Sequence, residues 1–166
     1  MSASKINILI VDDEEQFLRS MTKRLEVRGF NVLAVDRGDK AIEAARNNPV
    51  DIALVDLKMP GLNGEETLLA LKEEHKWLEV VILTGHGSIE SAIECTRQGA
   101  YSYLQKPCEL EELLNVLTEA YKKKIMNKMA LEQSKIDEML QSAYTESPLG
   151  ILRRLKELDE EFPGKK

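Results

Sequence analysis

Four apolar runs in this chain end on polar groups that could work together. Ile6-Asn7-Ile8-Leu9-Ile10-Val11 leads into Asp12 and Asp13; Asp51-Ile52-Ala53-Leu54-Val55 leads into Asp56; Val80-Val81-Ile82-Leu83 ends on Thr84; and Tyr101-Ser102-Tyr103-Leu104-Gln105 ends on Lys106, ahead of Pro107. An ion at the edge of a sheet core costs several kcal/mol, on the order of a strong interaction, unless a cation or a metal compensates it. Paired carboxylates beside a third repel one another, and hard oxygen donors with open positions suit Mg²⁺, which keeps waters and accepts phosphate oxygens. In that arrangement Asp13 and Asp56 are direct ligands and Asp12 acts through water. Asp56 can then serve as the nucleophile in phosphoryl transfer, with Lys106 and the Thr84 hydroxyl donating to the developing charge. A plainer reading has Asp12 cap the following helix, with Glu15 completing a capping box. Singly, Lys106 reads equally well as a surface lysine and Thr84 as an ordinary strand residue.

The elements that must position these groups alternate between two periods. Strand-like runs at about 6–11, 31–35, 51–55, 80–84 and 101–105 are separated by helical patterns at about 14–28, 38–47, 64–75 and 88–98. Near-continuous apolar strands predict a parallel sheet covered by helices on both faces, with its ligand crevice at the C-terminal strand ends. Gly29 and Gly99 read as helix stops, and Ser88 with Ser91 as a helix start.

Composition narrows the function classes. The chain has 166 residues and a formal net charge of −6, which gives no electrostatic footprint for non-specific nucleic-acid binding. Its basic cluster Lys122-Lys123-Lys124 with Lys128 reads as a solvated helix face. No apolar stretch reaches the length of a membrane helix and no signal-type segment precedes the first strand, so a cytoplasmic protein is expected. Cys95 and Cys108 fit neither a disulfide framework nor a zinc site and are expected to be reduced thiols.

From Glu109 onward the pattern is helical for longer than elsewhere. Leu110, Leu113, Leu114, Leu117, Ala120 and Tyr121 make one apolar stripe, which Ile125, Met129, Ile136, Met139 and Ala143 continue with a shift in phase, interrupted by Glu132. Ser147-Pro148 should start a short amphipathic helix with Ile151, Leu155, Leu158 and Phe162 on one face. Beyond about Lys122 the stripe outruns the sheet and needs another partner. It can pair with a second chain as a coiled coil or bundle, or the terminal helix can fold back on it; the narrow stripe favours the intermolecular solution, a homodimer.

Asp12-Asp13, Val55-Asp56-Leu57-Lys58-Met59-Pro60-Gly61, Leu83-Thr84-Gly85-His86-Gly87 and Tyr103-Leu104-Gln105-Lys106-Pro107 together resemble the receiver domain of bacterial two-component response regulators, over about residues 4–122. Within that family they look most like the receivers of nitrogen-regulator-type (sigma-54) activators. The resemblance implies an α/β fold with a doubly wound five-stranded parallel sheet in the flavodoxin-like order 2-1-3-4-5. It divides the chain into a receiver at 1–122 and a helical C-terminal extension at 123–166. Asp56 corresponds to the phosphoacceptor, Asp12 and Asp13 to the acidic Mg²⁺ site, and the Lys58 carbonyl to the backbone metal ligand. Thr84 and Tyr103 correspond to the switch pair, and Lys106 to the lysine that binds the phosphoryl group, with a cis Lys106-Pro107 peptide. Lys58 and His86 fall at positions that tune hydrolysis.

The implied partners are a sensor histidine kinase or phosphotransfer protein and a downstream protein. The chain departs from the activators in having no Gly-x-x-x-x-Gly-Lys-Ser/Thr loop and too little length for an ATPase or helix-turn-helix. The implied function is a phosphoacceptor that catalyses its own phosphorylation and dephosphorylation, with no independent turnover. An aspartyl-phosphate phosphatase is the enzyme alternative, but Lys58 stands where its Asp-x-Asp acid would be. A phosphorylation-independent scaffold is the other, and it has no need of the whole set of polar residues.

Overall fold

The computed structural model describes residues 4–130, 137, 141 and 147–161. Its elements run β1 (Asn7–Val11), α1 (Glu15–Val27), β2 (Asn31–Val35), α2 (Gly38–Asn47), β3 (Ile52–Val55), α3 (Gly64–Glu74), β4 (Glu79–Thr84), α4 (Ile89–Arg97), β5 (Ser102–Gln105), α5 (Leu110–Lys128) and α6 (Pro148–Glu161). All strand pairs are parallel and the order is β2-β1-β3-β4-β5, as the resemblance implies.

The sheet is covered on both faces, and the side-chain alternation of the strands divides the core accordingly. Ile8, Ile10, Ile52 and Leu54 face α1 and α5, where they meet Met21, Leu25, Leu113 and Leu117. Leu9, Val11, Ala53 and Val55 face the other side and meet Ala41, Ala45, Leu68, Leu71 and Cys95. This double coverage is why β3 and β4 carry no alternation of apolar and polar residues. Helix boundaries fall where the sequence signals them. Ser88 and Ser91 form a reciprocal capping box at the start of α4, and Asn63 and Glu66 do the same for α3. Gly29 and Gly99 adopt φ of 91° and 100° just past α1 and α4, a conformation that glycine enters without steric penalty.

The α1 start differs from the capping-box reading. Glu14 is the N-cap residue and makes no side-chain cap bond. Asp12 lies two residues too early and instead accepts the Glu14 N–H at 2.9 Å through Oδ1, an Asx-type turn that leaves Oδ2 for another partner.

At the C-terminal end the stripe is covered within the chain, though not as a hairpin: α6 packs on α5 and runs in the same direction, with Pro148 beside Thr118 and Asp159 beside Lys128. Tyr121, Ile125 and Met129 of the lengthened stripe share one core with Leu152 and Leu155 of α6. The terminal stripe includes Leu152 as well as the expected Leu155, while Ile151 packs at its edge and Phe162 lies outside the described residues. The expected continuation through Glu132, Ile136, Met139 and Ala143 also lies outside them.

The solvated-face reading of the lysine cluster is overturned. Lys124 is 6 % exposed and bonds Asp51, and Lys128 donates to Asp159 at 2.6 Å. Spaced one turn apart on α5, both point toward α6 and the lower edge of the sheet, where two buried carboxylates need counter-charges. Lys122 and Lys123 keep to the outside, 3.8 Å from Glu119 and 3.7 Å from Glu79.

Candidate functional site

The sheet places the site by extending its ladder one residue past each strand. The Asp12 N–H donates to the Val35 carbonyl at 3.2 Å, the Asp56 N–H to Val11 at 2.9 Å and the Lys106 N–H to Thr84 at 2.9 Å. The ends of β1, β3 and β5 are thus held in register, and their side chains emerge at the C-terminal edge, where the flanking helices leave a crevice. Asp12, Asp13, Glu14, Asp56, Gly85, His86 and Lys106 line a cavity there of about 370 Å³.

Within it, one carboxylate oxygen from each of Asp12, Asp13 and Asp56 lies within 4.8 Å of the others. Asp12 and Asp56 are buried and Asp13 is exposed. Asp12 is fully engaged, since Oδ1 takes the Glu14 N–H and Oδ2 takes the Lys106 ammonium. Burial pushes its carboxyl above the ordinary range and the Asp56 charge adds to this; the bonds from Lys106 and Glu14 oppose it only in part. Asp56 Oδ1, by contrast, is buried with no hydrogen-bond partner. A buried carboxylate oxygen without a hydrogen-bond partner, beside two further carboxylates, is a donor set suited to a cation, and its all-oxygen chemistry fits Mg²⁺.

Lys106 has two more contacts that the sequence reading missed. Its ammonium lies 3.9 Å from the centre of the Phe17 ring and 3.7 Å from Glu14 Oε2. Phe17 reads in the sequence as one apolar residue of α1, and nothing local marks it as the wall against which the lysine rests. Glu14 directly follows the acidic pair, which is the one local hint of its place at the cavity mouth. The Lys106-Pro107 peptide is cis.

The remaining expected residues stand around this cavity without lining it. Thr84 is fully buried, and its hydroxyl accepts the His86 N–H at 3.1 Å. Tyr103 is half-buried with its hydroxyl 3.0 Å from Ser91 Oγ, which ties the β5 ring to the first turn of α4. That seat requires Gly87, where an added Cβ would stand 1.9 Å from the Tyr103 hydroxyl oxygen. The Lys58 side chain is exposed, two residues past Asp56, and provides no acid to it.

This arrangement can hold a hard divalent cation beside a buried carboxylate nucleophile, with an ammonium in reserve one carboxylate away. The model for the response regulator receiver domain matches residues 8–118, well over half of the chain. The chain belongs to the response regulator receiver family. Among similar curated proteins, the transcriptional regulatory protein GlrR of Escherichia coli is 31 % identical over 160 residues, covering 95 % of this chain and 34 % of its own length. A cyclic di-GMP phosphodiesterase of Thermotoga maritima is 30 % identical over 157 residues, covering 95 % of this chain and 39 % of its own. The receiver thus spans little more than a third of these relatives.

Solved structures agree in fold. A receiver domain protein from Clostridium thermocellum aligns with a TM-score of 0.68 at 33 % identity, covering 72 % of this chain and 96 % of that one. The CheY of a CheX–CheY–BeF3–Mg²⁺ complex from Borrelia burgdorferi aligns with a TM-score of 0.66 at 25 % identity, covering 70 % and 89 %. Among the described residues of this receiver, no helix is long and apolar enough to cross a membrane.

Proposed function

We propose that this receiver accepts a phosphoryl group on Asp56 from a histidine kinase or phosphotransfer protein and passes the signal on by protein contact. The observation that carries this reading is the buried, unpartnered Asp56 Oδ1 beside the Asp12 and Asp13 oxygens. Asp13, Asp56 and the Lys58 carbonyl would hold Mg²⁺ directly, with Asp12 acting through water. When bound, that ion would neutralise charge on the phosphoryl oxygens and on the carboxylates that surround them. One solved relative holds Mg²⁺ and BeF3 together, which supports the assignment.

In the transfer, an Asp56 carboxylate oxygen bonds to phosphorus as the bond from phosphorus to the donor histidine nitrogen breaks, and the electron pair stays with the imidazole. The protein's own share is positioning and charge. Lys106 leaves Asp12 for the new phosphoryl oxygens, and the Thr84 hydroxyl turns from the His86 N–H to donate to the same group. Tyr103 then gives up Ser91 and moves into the space that Thr84 vacates, which alters the surface formed by α4, β5 and α5. Formation and loss of this adduct, tuned by Lys58 and His86, are the only chemistry assigned to the protein.

Residues 1–122 form the receiver unit in this reading and 123–166 its helical appendage, acting in the cytoplasm. Homodimerisation through the C-terminal helix would use surface outside the seam that α6 fills. The test is intact mass after incubation with acetyl phosphate, with and without Mg²⁺, on wild type and Asp56→Asn, with light scattering on the same samples. A single Mg²⁺-dependent phosphoryl adduct on wild type alone is expected. No adduct under conditions that label a control receiver would point instead to a phosphorylation-independent scaffold.

A further inference from the structure

The densest group of buried charges lies at the other end of the sheet and takes no part in this chemistry. Asp51, directly before β3, accepts from Lys124 of α5 through Oδ1, and through Oδ2 from Lys156 of α6 and the Asn7 N–H, both at 2.8 Å. Asp159 of α6 accepts from the Tyr121 hydroxyl at 3.1 Å and from Lys128 at 2.6 Å, and lies 3.5 Å from Lys124. Asp51, Lys124, Lys156 and Asp159 are all buried. Leu152 and Leu155, on the same face of α6, fill the seam between them.

An apolar seam would by itself seat a helix. Ion pairs withdrawn from water add little over hydrophobic residues of equal volume, but they penalise any occupant whose charges are wrong. Lys156 and Asp159, one turn apart with opposite signs, therefore act as a code for this seat. The seat also joins three bodies at one carboxylate: β3 through Asp51, α5 through Lys124 and α6 through Lys156. β3 leads directly into Asp56, and α5 begins a few residues past Lys106. Recruitment of Lys106 toward a phosphoryl group pulls on the start of α5, and a shift of α5 against β3 changes the Lys124–Asp51 contact.

We propose that α6 is a regulatory helix held in a charge-selected seat around Asp51, and that phosphorylation of Asp56 loosens it. The second half rests on the function proposed above. Loosening exposes the Leu152 and Leu155 face of α6 and the α5 surface it covers. Linkage makes the effect reciprocal, so a variant with a weakened seat favours the phosphorylated state.

Hydrogen–deuterium exchange of the full chain, followed over residues 148–161 with intact mass as a monitor of the adduct, tests this. Lys156→Glu sets a like charge against Asp51 and is expected to raise exchange of that segment on the order of tenfold or more while β1, β3 and β4 stay protected. Lys156→Met leaves Asp51 with Lys124 and Asp159 with Lys128, and is expected to raise it far less. Asp159→Lys provides a second reversal from the other side of the seat. Phosphorylated wild type is expected to move in the same direction as Lys156→Glu. Unchanged protection in both reversal variants would overturn the charge-selected seat, and equal protection in phosphorylated and unphosphorylated wild type would overturn the link. Absence of an adduct on wild type would overturn the Asp56 reading and the link with it, while the charge reversals still decide the seat in unphosphorylated protein.

Discussion

Asp51 and Asp56 stand at the two ends of one four-residue strand, β3, and their carboxylates are in opposite conditions. Asp51 is held by two lysine ammonium groups and a backbone N–H. Asp56 has a buried oxygen without a partner. The lower end of the strand is electrostatically closed, and the upper end carries a carboxylate oxygen that no group of the protein satisfies among the described residues.

The closed end gives a pH signature. Burial alone would raise the Asp51 pKa, but Lys124 and Lys156 beside it prevail and hold it below the usual carboxylate value. As pH falls, the unfolded chain therefore takes up this proton first. The stabilisation is complete above the unfolded value of about 4 and is lost as pH drops through the folded one. Asp51→Asn is expected to cost about 3–5 kcal/mol near neutral pH, because it takes the counter-charge from buried Lys156 and leaves buried Lys124 with Asp159 alone. The gap to wild type in urea denaturation should narrow toward pH 3.

Glu79 behaves in the opposite sense. Burial raises its pKa, and Lys72, Lys123 and Lys124 oppose this only in part, with one carboxylate oxygen left unbonded. A raised carboxyl weakens the fold at neutral pH, and the penalty disappears as pH falls from the folded value through the unfolded one. Glu79→Gln is expected to raise Tm at pH 7 and to leave it close to that of wild type at pH 4.

Lys106 neutralises part of the acidic cluster through Asp12. Lys106→Met keeps an unbranched side chain of similar length beside Phe17 but removes the ammonium that pairs with Asp12 at the acidic cluster. Stability without divalent cation should fall, by about 1–3 kcal/mol, and the rise in Tm on adding Mg²⁺ should exceed that of wild type. Equal Mg²⁺-induced shifts in the two proteins would show that Lys106 and the metal do not share Asp12.

Tyr103 and Gly87 give a steric prediction. A Cβ at position 87 collides with the Tyr103 hydroxyl, so Gly87→Ala is expected to cost about 1–3 kcal/mol and to break the bond to Ser91. Ser91→Ala should then cost less in the Gly87→Ala background than in wild type, because only its capping bonds to Ser88 are left to lose, and strict additivity in denaturation would mean that the tyrosine had not left its seat.

Gly64 is less forgiving, because its Cβ would lie 2.3 Å from the Asp56 carbonyl oxygen and 2.6 Å from Leu57 Cα, both backbone atoms that cannot swing away. Gly64→Ala should lower Tm more than Gly87→Ala and slow adduct formation by displacing Asp56. Gly85→Ala, whose nearest neighbour is Lys106 Cβ at 3.9 Å, should be tolerated structurally.

The alternation of strands and helices and the set Asp12, Asp13, Asp56 and Lys106 were legible in the residues alone, because each of these is written locally. A buried parallel strand is a continuous apolar run, and a polar residue ending such a run is placed at the sheet edge whatever surrounds it. Tertiary structure alone decided what met across the chain. Lys124 reads as one more lysine of a solvated helix, yet it pairs with Asp51 at 73 residues' separation, and Lys156 joins the same carboxylate at 105. The choice between covering the stripe within the chain and pairing with a second chain was equally hidden, since one apolar stripe serves both. Phe17 was silent for the same reason: contact with a cation across a fold depends on where the backbone carries the ring, and the ring's own neighbours in sequence hold no record of it.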